Sequence, residues 1–162
     1  MSDRLIIKSH KGPYTVSFDE GALAQLAADI PYKAHFIIDR RVAELYREKM
    51  VEVLAASSVL LIEATETNKS LDKFSCYVDH LVSHGLQRDH VLIAIGGGII
   101  QDLTCFLAAT ILRGVSWEFF PTTLLAQADS CIGSKSSINN GATKNILGTF
   151  TPPNKIYVAT SF

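Results

Sequence analysis

The run Val91-Leu92-Ile93-Ala94-Ile95-Gly96-Gly97-Gly98-Ile99-Ile100-Gln101-Asp102 decides the architecture of this chain. Five apolar residues in a row read as a strand buried on both faces, a pattern of parallel sheets covered by helices. Three glycines then open a helix of small and apolar residues that runs to about Leu112. Without side chains the backbone at such a turn approaches a phosphate closely, and the helix N-terminus offers free N–H groups to an anion. Ligands of open α/β sheets bind at this edge. The spacing is not the dinucleotide fingerprint G-x-G-x-x-G, so the turn alone favours a bound phosphate over a bare tight turn without naming the ligand.

Outward from this turn, strands and helices alternate. Leu5 to Ile7 and Tyr14 to Phe18 read as strands around the turn signal Lys11-Gly12-Pro13, which predicts an N-terminal β-hairpin. Helical stripes are expected over Ala22 to Ile30, Val42 to Val53 and Leu71 to Val82, the last capped by Ser70. Strands are expected at Ala34 to Ile38, Ser58 to Ile62, Val115 to Phe120 and Ile156 to Ala159. Such alternation implies right-handed βαβ units and a parallel sheet with helices on both faces. Thr122 to Asp129 is helical in pattern, and Gly133 to Gly148 is polar and turn-rich.

The chain has 162 residues, enough for one domain with a core. Fifteen basic and sixteen acidic residues leave a net charge of -1, so no strong field points to nucleic acid or an anionic membrane. No apolar stretch is long enough for a membrane span. Cys76, Cys105 and Cys131 form no C-x-x-C pair, which fits a reducing cytosol, and the latter two read as buried, inert thiols. His80 and His84 have zinc-ligand spacing but no evident third ligand, and read as a solvated helix face. His10, His35 and His90 show no constellation, so no metal site is expected within the chain.

Two carboxylates compete for a ribose. Glu118 lies near the fingerprint distance from the glycines, but inside a strand between Trp117 and Phe119. Asp39, at a strand end, is better placed, with helix capping an equal alternative. After Pro121, hydroxyls, amides and Lys135 and Lys144 crowd a short span. They read either as anion-binding groups or as a solvated hairpin.

Four blocks in order turn these readings into a resemblance. They are Ile95-Gly96-Gly97-Gly98 with Asp102, Ala108-Ala109-Thr110 with Arg113-Gly114, Pro121-Thr122-Thr123-Leu124-Leu125-Ala126-Gln127 with Asp129-Ser130, Gly133 and Lys135, and Lys144-Asn145 with Gly148 and Phe150. From about Glu66 to Phe150 the chain resembles the 3-dehydroquinate synthase family of sugar-phosphate cyclases. The resemblance implies a Rossmann-like α/β fold and makes residues 1–162 an NAD-binding N-terminal domain. The family's helical C-terminal metal domain is then absent, so the chain alone is expected to be inactive.

It further implies NAD held by Asp39, Glu66 and Lys69 around the adenosine half, with Gly96, Gly97 and Gly98 against the pyrophosphate. Thr122 and Thr123 would fix the nucleotide, with Asp102 near the nicotinamide. Asp129, Lys135, Lys144 and Asn145 would face substrate or cofactor. Arg113 would reach a phosphate site in a neighbouring subunit, implying a homodimer. The implied reaction, in the shikimate pathway, is cyclisation of a phosphorylated seven-carbon sugar acid (3-deoxy-arabino-heptulosonate 7-phosphate) to 3-dehydroquinate with loss of phosphate, in the cytoplasm. A divalent metal, zinc or cobalt, would come only with the missing domain.

Gln101 and Cys105 stand where that family commonly has glycine. Ser134 replaces the second glycine of its usual G-G-K, and Ser136-Ser137 follow the lysine. Those near the substrate leave open another cyclase of the epi-valiolone or deoxy-scyllo-inosose synthase type. A metal-dependent NAD(P) alcohol or glycerol-phosphate dehydrogenase, or a non-catalytic NAD-binding module, remain further alternatives.

Overall fold

The computed structural model describes residues 3–162. In chain order its strands are β1 (Asp3–Ser9), β2 (Gly12–Phe18), β3 (Ala34–Asp39), β4 (Val59–Ile62), β5 (Val91–Gly96), β6 (Ser116–Pro121), β7 (Lys135–Asn140), β8 (Thr143–Phe150) and β9 (Lys155–Val158). The α-helices are α1 (Ala22–Ala28), α2 (Arg40–Leu45), α3 (Val51–Leu54), α4 (Leu71–Ser83) and α5 (Gly98–Thr110). Seven strands form one sheet in the order β1-β2-β9-β6-β5-β3-β4, while β7 and β8 form a separate hairpin. Only β1 and β2 pair antiparallel within the large sheet; the other neighbours run parallel. This is the parallel sheet and N-terminal hairpin that the sequence pattern predicts, in the Rossmann-like fold that the resemblance implies.

The unbroken apolar runs resolve into two faces because successive side chains of a strand point opposite ways. Ile37, Leu92, Ala94, Trp117 and Phe119 pack with Phe74, Tyr77 and Leu81 of α4 and Ile100, Leu103 and Leu107 of α5. Phe36, Ile38, Ile93, Ile95 and Phe120 pack with Leu23 of α1, Val42 of α2 and Val53 of α3. Each fully buried Ile or Phe contributes roughly 1.5–3 kcal/mol, so these central strands dominate the core.

Some expected elements differ. The helix expected through Val42 and Val53 is broken: Tyr46 and Met50 leave helical geometry, and a 3-10 turn Arg47–Lys49 separates α2 from α3. The break turns Leu45 outward, 61% exposed, while Met50 and Val53 are completely buried. Core burial has overridden a regular stripe. The first helix ends at Ala28, short of Ile30. Ser70 does occupy the N-cap position of α4, but its hydroxyl makes no capping hydrogen bond. Around Ala126–Ser130 the backbone widens into a π-helix, with Cys131 N–H donating to Ala126 O at 2.9 Å. No helix among the described residues is long and apolar enough to cross a membrane.

Candidate active site

The parallel strands deliver β3, β5 and β6 to one edge with their carboxyl ends together. Register pairs Gly96 with Pro121, and Thr122 N–H donates to Gly96 O at 2.9 Å, which joins the glycine turn to the start of the next polar segment. The three glycines divide their work. A Cβ on Gly96 would sit 2.5 Å from Ile100 Cγ1, and one on Gly97 would sit 2.8 Å from Thr123 Cγ2. These two are glycine because the turn is packed. Gly98 has no atom within 4 Å of a would-be Cβ, and it is exposed. Its helix has no side-chain cap, so the first-turn N–H groups of α5 are available to an anion.

Gly98 opens onto a cavity of about 770 Å³, lined also by Glu66, Lys69, Asp102, Asp129 and Lys135. That size suits a small-molecule site. Lys69 is the most buried cation here, 5% exposed. Its Nζ donates to Asp102 Oδ2 at 3.1 Å and to Asn145 Oδ1 at 2.9 Å, with Glu66 Oε1 3.7 Å away. Burial pushes the Asp102 carboxyl above its ordinary value despite that pairing. The Asn139 amide, with Lys69 and Lys144 nearby, holds Glu66 below its usual range.

The polar segment is a β-hairpin and a site wall at once, so the two readings of it were not exclusive. Asn139 joins its parts: Nδ2 donates to Glu66 Oε2 at 2.9 Å, while Oδ1 accepts from Asn145 N–H at 2.8 Å. The latter contact holds Asn145 in the left-handed region, at φ 53°. Ser137 N–H donates to Asp102 Oδ1 at 3.1 Å, and its hydroxyl donates to Asn145 Oδ1 at 2.9 Å with Asp102 Oδ2 3.4 Å away. In the sequence Asn139 carries no mark of a site residue, and Ser137 is only a departure from the family pattern. The one signal was their alternation with Lys135 along a single strand. Lys144 is exposed on β8, near enough to act on Glu66.

Other expected residues lie apart. Asp39 caps α2, its Oδ1 accepting from Arg41 N–H at 2.9 Å, and lines a neighbouring cleft with Glu63 and Thr65. Thr123 Oγ1 accepts from Ala126 N–H at 3.2 Å, and Thr122 Oγ1 is buried without a hydrogen-bond partner among the described residues. Glu118 pairs with Lys155 at 3.3 Å within the sheet, a structural role. Arg113 lies beyond the far end of α5, in a cleft with Lys11 and Arg88. Thirteen helical residues, about 20 Å, separate it from the glycine turn.

The thiols of Cys105 and Cys131 are buried, and burial raises both. The histidines do form a constellation, contrary to expectation, at the opposite edge of the sheet: His35 bonds to His90 and Ser58, and His80 stacks on His84. Tertiary pairing of β3 with β5 made that grouping. Neither these histidines nor any other set of three or more His, Cys, Asp or Glu among the described residues is arranged to hold a metal ion.

The 3-dehydroquinate synthase N-terminal family model matches residues 59–162. The chain belongs to the 3-dehydroquinate synthase family. It is 35% identical over 164 residues to a 3-dehydroquinate synthase of Streptococcus suis, covering 96% of this chain and 46% of that protein. A 3-dehydroquinate synthase of Caldanaerobacter subterraneus is 36% identical, with 98% and 47% covered. The chain therefore spans about half the length of these curated relatives. A crystal structure of 2-deoxy-scyllo-inosose synthase shares the fold, with a TM-score of 0.81 at 22% identity, over 99% of this chain and 47% of its own. The 2-epi-5-epi-valiolone synthase ValA from Streptomyces hygroscopicus, solved with NAD+ and Zn2+ bound, superposes with a TM-score of 0.76 at 29% identity, over 90% and 42%.

Proposed function

We propose that this chain binds NAD and forms the nucleotide half of a sugar-phosphate cyclase of the 3-dehydroquinate synthase type. The observation that carries the reading is the cavity in which the open Gly98 turn meets Lys69, Asp102, Asp129 and Lys135. NAD fits the residues present: Gly98 leaves room at an uncapped helix N-terminus, and Asp39 keeps one carboxylate oxygen free for a ribose hydroxyl.

When bound, NAD would supply a hydride acceptor for oxidation of a ring hydroxyl to a ketone and, once reduced, the hydride donor for the later reduction of that ketone. The chain's own groups do the holding. Lys135 and Lys144 place fixed positive charge towards a phosphorylated sugar acid, where enolate or alkoxide charge needs cationic donors. Lys69 keeps Asp102 in place beside the glycine turn, and Asn139 orients Asn145. A divalent metal such as the cyclase structures hold would need ligands other than the described residues. Arg113, remote from this cavity, serves a second copy in a homodimer.

The substrate we favour is 3-deoxy-arabino-heptulosonate 7-phosphate, converted to 3-dehydroquinate in the cytoplasm as a step of the shikimate pathway. A related cyclase acting on another sugar phosphate is the second reading. It is favoured by Ser134 and Ser137 in the cavity wall and by the likeness to ValA. Calorimetric titration with NAD+ tests the shared part. Binding is expected, weakened by Asp39→Ala and unchanged by Glu118→Ala. No binding, or equal losses in the two variants, overturns the assignment. Phosphate release from each candidate sugar phosphate by the intact protein separates the two substrates.

A further inference from the structure

The π-helical turn Ala126–Ser130 carries Asp129 to the cavity, yet little of it is packed. Leu124 and Leu125 are 83% and 71% exposed, Asp129 is also exposed, and only Ala126 and Cys131 anchor it in the core. A segment with so few buried contacts is held by its hydrogen bonds. Two glutamine side chains supply those that tie it to other elements. Gln127, at the start of the turn, donates from Nε2 to Pro121 O and Ala159 O at 3.0 and 2.7 Å, which ties it to β6 and the residue after β9.

The end of the turn is gripped from α5. Gln101 Nε2 donates to Ser130 O at 2.6 Å, and Ser130 Oγ donates back to Gln101 Oε1 at 2.9 Å. The carbonyl so satisfied is one that a helix leaves free at its C-terminus. Gln101 is 6% exposed, so its amide is committed to this contact. It lies three residues after Gly98 and directly before Asp102 on the same helix.

We propose that Gln101 is a positioning residue, whose two-point grip on Ser130 fixes the π-turn so that Asp129 keeps its place relative to the glycine turn and Asp102. The grip makes α5 the common reference for both sides of the cavity. Its free end serves the nucleotide, and one turn later its amide sets the substrate wall. The kinetic consequence rests on the proposed function; the mechanical one does not.

The test uses Gln101→Met, which keeps length and loses the amide, Ser130→Ala, and the double variant, all in the intact protein. Hydrogen exchange over residues 126–131 is expected to speed up about 10-fold or more in Gln101→Met, as two hydrogen bonds are lost. In the same variant kcat/KM for the sugar phosphate is expected to fall about 10-fold, because a small displacement of a substrate-facing group is costly. The Kd for NAD+ should stay within about twofold, since Gly98 is untouched. Ser130→Ala should add little on the Gln101→Met background, because both remove one interaction.

Unchanged exchange in this segment, or simple addition of the two single effects, overturns the grip. A parallel loss of NAD+ affinity overturns the positioning role in favour of general damage to α5. If the parent protein turns over no sugar phosphate, the functional reading fails, while the exchange data still decide whether Gln101 holds the turn.

Discussion

The two edges of the parallel sheet bury polar groups in opposite ways. At the carboxyl edge, Lys69 and Asp102 stay paired beside the cavity, and Asn139, Asn145 and Ser137 occupy the remaining donors and acceptors. At the amino edge, His35 is 3% exposed and bonds to His90 at 2.9 Å and Ser58 at 2.7 Å, with no acidic partner in those bonds. Burial, then His90, His84 and His80, lowers His35 to about 4. The nearest ion pair, Lys33 with Asp89, lies on the exposed rim. One edge compensates burial with counter-charge, and the other does so by remaining neutral. Charge is kept beside the cavity where the strands end; at the buried His35–His90 contact where they begin, it is suppressed.

The largest expected effect breaks the charged edge. Lys69→Met leaves Asp102 partly buried without its cation and should cost about 3 kcal/mol of stability, measured by denaturant unfolding. A loss below about 1 kcal/mol would show that Ser137 alone satisfies the carboxylate. Acid probes the other edge. His35 is held below its unfolded value of 6.5, so the unfolded chain binds more protons between these values. Stability is full above pH 6.5 and falls as the pH drops towards 4, by up to about 3 kcal/mol from this group. His35→Phe should flatten that slope; a slope unchanged by it would place the acid sensitivity elsewhere.

The smallest effect sharpens the division within the glycine turn. Gly96→Ala must displace Ile100 and should cost about 2 kcal/mol of stability. Gly98→Ala should leave stability within about 0.5 kcal/mol while weakening NAD+ binding, because only at Gly98 is the missing side chain space for a ligand. Matching losses of stability in the two would remove the distinction.

Much of the fold was legible because periodicity reports burial locally. The run Val91 to Ile95 and the stripe of α4 need only backbone geometry to be read. The broken helix at Arg47–Lys49 was not, since Leu45, Met50 and Val53 share one stripe in the sequence, yet Leu45 turns outward while Met50 and Val53 are buried. Within the site, the glycine turn and Lys135 stood out by residue type and position, whereas Asp129 entered only through resemblance. Lys69 was tied to the nucleotide only through resemblance, yet it lies buried between Asp102 and Asn145, 33 and 76 residues further along. Asn139 looked like a hairpin residue until its amide met Glu66.

Sequence by itself determined the alternation of strands and helices, the glycine turn at a strand end and membership of the family, because each depends on residue type at short spacing. Tertiary structure alone decided which glycine opens to a ligand, which carboxylate Lys69 neutralises and which histidines share an edge. Those outcomes depend on strand order and packing between residues far apart in the chain, and no local pattern encodes the distance between them. The opposed chemistry of the two sheet edges follows from that placement: parallel pairing of β3 with β5 brings His35 and His90 together at one end and Asp39 and Gly96 at the other.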